Sequence, residues 1–308
     1  MRLSIIVPCY NEAESLPIYF EEMGKLKDKL DVEFEYIFVD DGSYDETLGI
    51  LRKLQSEFPE LIHYLSFSRN FGKESAIYAG LETATGDFIT LMDADLQDPP
   101  ELLIAMFEKF KDNPNLDCVT ARRSSRNGEA FFKSLFSKAF YKIMSKISKT
   151  PVLDGVRDYR LMTRKTVNAI LQLKEYNRFS KGLFSWVGFD TEYISYENHE
   201  RVAGKTSWNF WGLLKYSIDG FVNFSEVPLQ LAMYSGFLIV FFDIIAIIFL
   251  VIRQFVFHNS VSGWTSTIVV VLFCFGFSQL TLGVIGKYIS SIFLEVKARP
   301  IYVVKEKK

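Results

Sequence analysis

The stretch LMDADLQDPP, residues 91–100, places Asp93, Asp95 and Asp98 within six positions, directly behind the apolar run Phe88–Met92. Carboxylates this crowded at the end of a buried-strand pattern either share a cation or form a hydrophilic turn that opens the next helix. A calcium loop of the EF-hand kind needs Gly at its sixth position and Glu at its twelfth. Here those positions are Asp98 and Ile104, so that reading fails. Two readings stay open. One is an acidic turn, with Asp98 before Pro99-Pro100 as a helix-entry residue. The other is an Mg2+ or Mn2+ site on Asp95, with Asp93 beside it, completed by diphosphate oxygens from a substrate. Such a site would neutralise the charge that collects on a departing diphosphate. D-x-D alone is a weak signal, but a second acidic pair in VDDGS, Asp40-Asp41, stands behind another apolar run and strengthens it.

Other chemistries drop out. PCYNEAES follows the first apolar run with no G-x-G-x-x-G, and neither a G-x-x-x-x-G-K-[ST] loop nor a G-x-S-x-G elbow occurs. His63, His199 and His258 have no metal-ligand spacing, and Cys9, Cys118 and Cys274 form no C-x-x-C pair, which fits a reducing compartment. A net charge of -2 argues against a nucleic-acid partner.

The elements that must hold these residues alternate. LSIIVP, EYIFVDD, LIHYLSF and FITLMD read as strands, and the segments between them as helices. The first helix is expected to start at Asn11, with Glu14 three residues on, and to run to about Leu30. The helix KESAIYAGLETAT is expected to close at Gly86. This alternation predicts an α/β domain with a parallel sheet and helices on both faces. Ligands in such sheets sit beyond the carboxyl ends of the strands. That edge collects Pro8, Tyr10, Asn11, Glu12, Asp40, Asp41, Arg69, Asn70, Asp93 and Asp95.

The composition shifts after Pro228. Leu229–Ile252 carries one charge, Asp243, and Thr265–Ile285 carries none. About 20 apolar residues cross a bilayer core of about 30 Å. Between them lies only Arg253, whereas Lys287, Lys297, Arg299, Lys305, Lys307 and Lys308 follow. This predicts a multi-pass protein of the cytoplasmic membrane with both termini and the α/β domain cytoplasmic. Asp243 is expected to find a polar partner such as Ser278 or Gln279. Residues 122–149 read as a basic amphipathic helix and residues 209–226 as a juxtamembrane interfacial helix. No cleavable leader is expected in MRLSIIVPCYNE. The predicted organisation is 1–208 catalytic, 209–226 interfacial, 227–290 a membrane hairpin with spans about 229–252 and 265–287, and 291–308 a cytoplasmic tail.

SIIVPCYNEAESL, VDDGSYDET, RNFGKESAIYAGLETATGDFITLMDADLQDPPELL, DYRLMTRK, KGLFSWVGF and RVAGKTSW together resemble the ordered motifs of family 2 glycosyltransferases. They are most similar to the polyprenyl-phosphate branch, which includes dolichol-phosphate mannose synthases and two-span bactoprenol glucosyltransferases. The resemblance covers nearly the whole chain. It implies a GT-A (Rossmann-like) fold in which Pro8, Tyr10, Glu12 and Asp41 cradle the base and ribose of a nucleotide sugar. It places Asp93, Ala94 and Gln97 along the ribose and diphosphate, and Asp95 on the metal. Asp158 falls at the catalytic carboxylate, and Arg122 and Arg201 fall at phosphate-binding arginines. The dolichol-type pattern has a lysine where this chain has Ser207, with Lys205 two residues earlier as the substitute.

The resemblance thus implies inverting, metal-dependent transfer from a nucleotide sugar, UDP-linked in preference to GDP-linked, to a polyprenyl (undecaprenyl) phosphate for cell-envelope glycan modification. Asp158 would act as a base or orient the acceptor phosphate. The alternatives are transfer to another lipid acceptor, or an inactive nucleotide-sugar-binding membrane scaffold. The C-terminal helices could also join copies of the chain into a homo-oligomer.

Overall fold

The computed structural model describes residues 1–27, 29–124, 155–197, 218, 220, 222–257 and 263–308. These fall into two compact units: residues 1–220 with 299–308, and residues 221–298.

The first unit is built on an eight-stranded sheet: β1 (Arg2–Cys9), β2 (Glu33–Asp40), β3 (Ile62–Phe67), β4 (Phe88–Leu91), β5 (Cys118–Arg123), β6 (Val156–Thr163), β7 (Thr191–Tyr196) and β8 (Val304–Lys307). Their spatial order is β7-β5-β6-β4-β1-β2-β3-β8. The central β4-β1-β2-β3 block is parallel, as is β5 with β7. β6 runs antiparallel to both β4 and β5. The α/β architecture with a largely parallel sheet is therefore the predicted one, and the antiparallel insertion of β6 is new.

The helices of this unit are α1 (Ser15–Lys27), α2 (Thr47–Glu57), α3 (Lys73–Thr83), α4 (Leu102–Asp112), α5 (Arg164–Ile170) and α6 (Ser180–Trp186). β1 is a near-continuous apolar run because both of its faces are covered. Leu3, Ile5 and Val7 enter one core with Tyr19 of α1 and Met106 of α4. Ile6 enters the opposite core with Ala76 and Ala79 of α3. α3 lies so close to β1 that a Cβ on Gly80 would run into the Ile6 side chain.

Asn11 does not cap α1. It sits at φ 55°, its side-chain oxygen accepts from the Tyr44 N–H, and the helix starts at Ser15 and ends at Lys27. Gly86 likewise does not close α3, whose last residue is Thr83. It lies against β1, where its N–H donates to the Ser4 hydroxyl at 2.8 Å.

Residues 299–308 return to the α/β unit. β8 pairs antiparallel with β3. Glu306 takes a two-pronged contact from Arg52 and a hydrogen bond from the Tyr64 hydroxyl. The Tyr302 ring stacks on Phe67 at 4.9 Å, and its hydroxyl donates to Glu82 at 2.7 Å. Lys305, Lys307 and Lys308 thus sit on or beside an edge strand, where lysine discourages further strand pairing.

The second unit contains α7 (Val227–Phe257) and α8 (Trp264–Val296). Both are long and apolar enough to cross a membrane. Side chains such as Phe237, Phe241, Phe249, Leu272 and Phe273 are exposed along them. The Tyr288 hydroxyl donates to the Ser225 carbonyl at 2.6 Å. Ser278 donates to the Cys274 carbonyl of its own helix, not to Asp243. The predicted amphipathic helix of 122–149, after Ser124, and residues 209–217, 219 and 221 of the 209–226 segment lie outside the described residues.

Candidate active site

The carboxyl ends of β1, β2, β3 and β4 carry the loops that form the site. Asp40, 1% exposed, accepts from the Ser43 N–H at 3.0 Å and the Ser66 hydroxyl at 2.7 Å, tying the loop after β2 to β3. Asp41 accepts from the N–H groups of Phe71 at 2.6 Å and Gly72 at 2.9 Å. Burial pushes the Asp41 carboxyl up to about 6, against the pull of those two donors. Gly42, at φ 67°, is required here, because a Cβ would strike the Arg69 carbonyl carbon. Asp41 is thus a brace between two loops as well as a predicted nucleotide contact.

Pro8 lies in β1 opposite Val39. Tyr10 meets Tyr44 edge-on with ring centroids 6.4 Å apart, and Tyr44 is 85% exposed. The Glu12 carboxylate accepts from the Ser15 hydroxyl, and its N–H donates to the Thr47 hydroxyl at 2.9 Å. Cys9 is buried, and burial pushes its thiol well up, so it is no nucleophile despite its place at the end of β1.

Beyond β4 the chain turns at Leu96, which has φ 53°. Asp95, 5% exposed, accepts from the Gln97 N–H at 3.1 Å, the local bond by which Asp favours turns. Ala94 is buried. Asp98 is not a helix-entry cap. It is buried and accepts from the Tyr196 hydroxyl and from Arg157 Nε at 3.2 Å, and α4 has no side-chain cap.

The β4–β6 register explains how Asp158 reaches this turn. Leu91 pairs with Arg160. Continuing that antiparallel register by two residues sets Asp93 across from Asp158. Like charges opposed across a ladder repel, and a cation lies between them. Lys73 Nζ is 2.7 Å from Asp93 and 2.9 Å from Asp158. Burial pushes the Asp158 carboxyl up, but Lys73, with Lys181 and Arg160 adding to it, outweighs burial and holds the group well below the usual carboxylate range. Arg160 does not clasp the Asp158 carboxylate. Its Nε donates to the Asp158 carbonyl at 3.1 Å, and its guanidinium covers the Phe184 ring at 3.7 Å.

Arg122 is exposed on β5, with Val156 as its strand partner two residues before Asp158. Arg201, Lys205 and Ser207 lie outside the described residues. Lys73 is the residue that sequence reasoning missed, although it stands inside the motif RNFGKESA. The signal was its position at the first residue of α3, where the helix dipole disfavours a positive charge.

The fold is that of an α/β protein whose candidate site gathers at the carboxyl edge of its sheet. Residues 4–171 match Glycosyl transferase family 2. The chain is 42% identical over 304 residues to the putative glycosyltransferase CsbB of Bacillus subtilis, covering 99% of this chain and 91% of that one. It is 39% identical over 308 residues to the bactoprenol glucosyl transferase of Shigella phage SfX, covering 100% of both. Among solved structures, a mannosyltransferase from Pyrobaculum calidifontis in complex with GDP-Man and Mn2+ is 20% identical, with a TM-score of 0.49, over 72% of this chain and 63% of that one. The chain belongs to glycosyl transferase family 2 and is a glycosyltransferase.

Proposed function

We propose that this glycosyltransferase moves a sugar from a nucleoside diphosphate, UDP in preference to GDP, onto a polyprenyl phosphate, with inversion at the anomeric carbon. The observation that carries this reading is the Lys73-bridged Asp158. A carboxylate held ionised by an ammonium at 2.9 Å is a weak base. It suits an acceptor that needs no deprotonation. A phosphate monoester, with its second pKa near 6, is largely dianionic at pH 7. Its oxygen attacks the anomeric carbon, the bond from that carbon to the diphosphate oxygen breaks, and the nucleoside diphosphate leaves with the electron pair. No proton has to move, so Asp158 orients rather than abstracts. The whole-length likeness to a bactoprenol glucosyl transferase supports the same acceptor.

On the donor side, Tyr10 and Tyr44 offer ring faces to a base, Pro8, Glu12 and Asp41 line the nucleoside, and Ala94 and Gln97 flank the diphosphate. Among the described residues no group of three or more His, Cys, Asp or Glu side chains closes around a cation. The turn instead supplies two nearby carboxylates, a donor set that fits Mg2+ or Mn2+ sharing its remaining positions with phosphate oxygens and water. Asp95, with Asp93 beside it, would hold the ion. When bound, that ion would offset the charge developing on the departing diphosphate. Arg122, with Arg201 and Lys205, would meet phosphate groups.

α7 and α8 would cross the cytoplasmic membrane as a hairpin, with the basic residues after α8 keeping both ends on the cytoplasmic side. The lipid acceptor would then enter the site from the bilayer.

Acceptor chemistry tests the reading. Undecaprenyl phosphate is expected to accept sugar while undecaprenol does not, and kcat/KM is expected to fall as pH drops through about 6, where the acceptor phosphate dianion takes up a proton and becomes the monoanion. Equal use of the alcohol, or an acid limb confined to the carboxylate range near pH 4, would contradict it.

A further inference from the structure

Lys73 stands where a helix disfavours it, yet two carboxylates converge on it. It follows Gly72, the N-cap of α3 at φ 98°. The N–H groups of Phe71 and Gly72 immediately before it are fixed by Asp41. Its ammonium then joins Asp93, behind β4, to Asp158, on β6. These carboxylates are 65 residues apart in the chain and are brought together only by the antiparallel β4–β6 pairing. The Lys73 side chain is 34% exposed, so an incoming anion can reach it.

We propose that Lys73 is a positioning residue for sugar transfer. It links the donor-side carboxylate Asp93 to Asp158 and offsets the negative charge of Asp158, so that a phosphate-bearing acceptor can approach the anomeric carbon. The proposal rests on the prenyl phosphate reading above. Without the ammonium, a dianionic acceptor would meet an uncompensated carboxylate at close range, and Asp158 would swing away from Asp93. Nucleoside diphosphate binding does not depend on Lys73, because the other donor-side groups stay in place.

The test uses the full-length protein in detergent, with undecaprenyl phosphate and the nucleotide sugar that the wild type uses. Lys73→Met is expected to lower kcat/KM for the lipid phosphate by about 100-fold while leaving nucleoside diphosphate affinity unchanged. Lys73→Arg is expected to recover part of the loss. In an Asp158→Asn background the added Lys73→Met change is expected to cost little, since the charge it answers is gone. A Lys73→Met enzyme as active as the wild type would overturn the assignment. So would a loss that is undiminished in the Asp158→Asn background. If Lys73→Met alone does not fold, Asp158→Asn and the double variant, which lacks both charges, still give the comparison. A wild-type chain that labels no prenyl phosphate overturns the acceptor reading and this assignment with it. A labelling wild type with an indifferent Lys73→Met overturns this assignment alone.

Discussion

Asp158→Asn is expected to lower turnover by about 100-fold with the fold and the donor affinity intact. The amide keeps the size and shape of the carboxylate but not its charge. Lys73 would then turn to Asp93, its other partner at 2.7 Å, and the group facing the acceptor would be neutral and unanchored. The fold should survive because the backbone around Asp158 is held independently. Arg160 donates to the carbonyls of Asp158 and Arg157, and β6 pairs with β5 on either side of Asp158, at Arg160 and at Val156. Turnover should therefore fall without a matching fall in thermal stability. Near-native turnover in a folded Asp158→Asn protein would reduce Asp158 to a structural residue.

Asp95→Asn is expected to weaken divalent-dependent donor binding by about 10²-fold. This substitution isolates charge from architecture. The Asp95 side chain accepts from the Gln97 N–H at 3.1 Å, and the carbonyl oxygen of Asn can take over that bond, so the turn at Leu96 should persist. What is lost is the anionic ligand. Calorimetric titration of UDP in the presence and absence of Mn2+ reads the difference. The variant should bind UDP equally weakly with or without the ion, whereas the wild type should bind it more tightly with the ion. A variant that keeps the wild-type Mn2+ effect would move the ion away from Asp95.

The first four strands and their loops were legible because β1 to β4 are short apolar runs whose helices follow in sequence, so local pattern and tertiary position agree. The acidic edge came with them. Asp98 was misread because its local signal, a carboxylate before two prolines, mimics a cap. Its actual partners, Arg157 and Tyr196, lie 59 and 98 residues away. The placement of Asp158 beside Asp93 was not derivable from spacing, since it depends on the antiparallel register of β6 against β4. Only the family resemblance pointed to it. Lys73 was hidden for the same reason, because neither of its carboxylate partners is a neighbour on α3. The last ten residues were read through their lysines as a tail. Their alternation was overlooked, and so were Tyr302 and Glu306, which fasten β8 to β3 and α2.

The proposed function turns on transfer of sugar to a prenyl phosphate at the Asp93–Lys73–Asp158 cluster. It is tested most directly by incubating the membrane-embedded protein with undecaprenyl phosphate, Mg2+ or Mn2+ and a panel of radiolabelled nucleotide sugars. Label is expected to move from one of the UDP-sugars into organic-extractable lipid, and not to move in the Asp158→Asn protein. Label that stays in the aqueous phase for every donor, or that enters the lipid equally well with Asp158→Asn, would contradict the account.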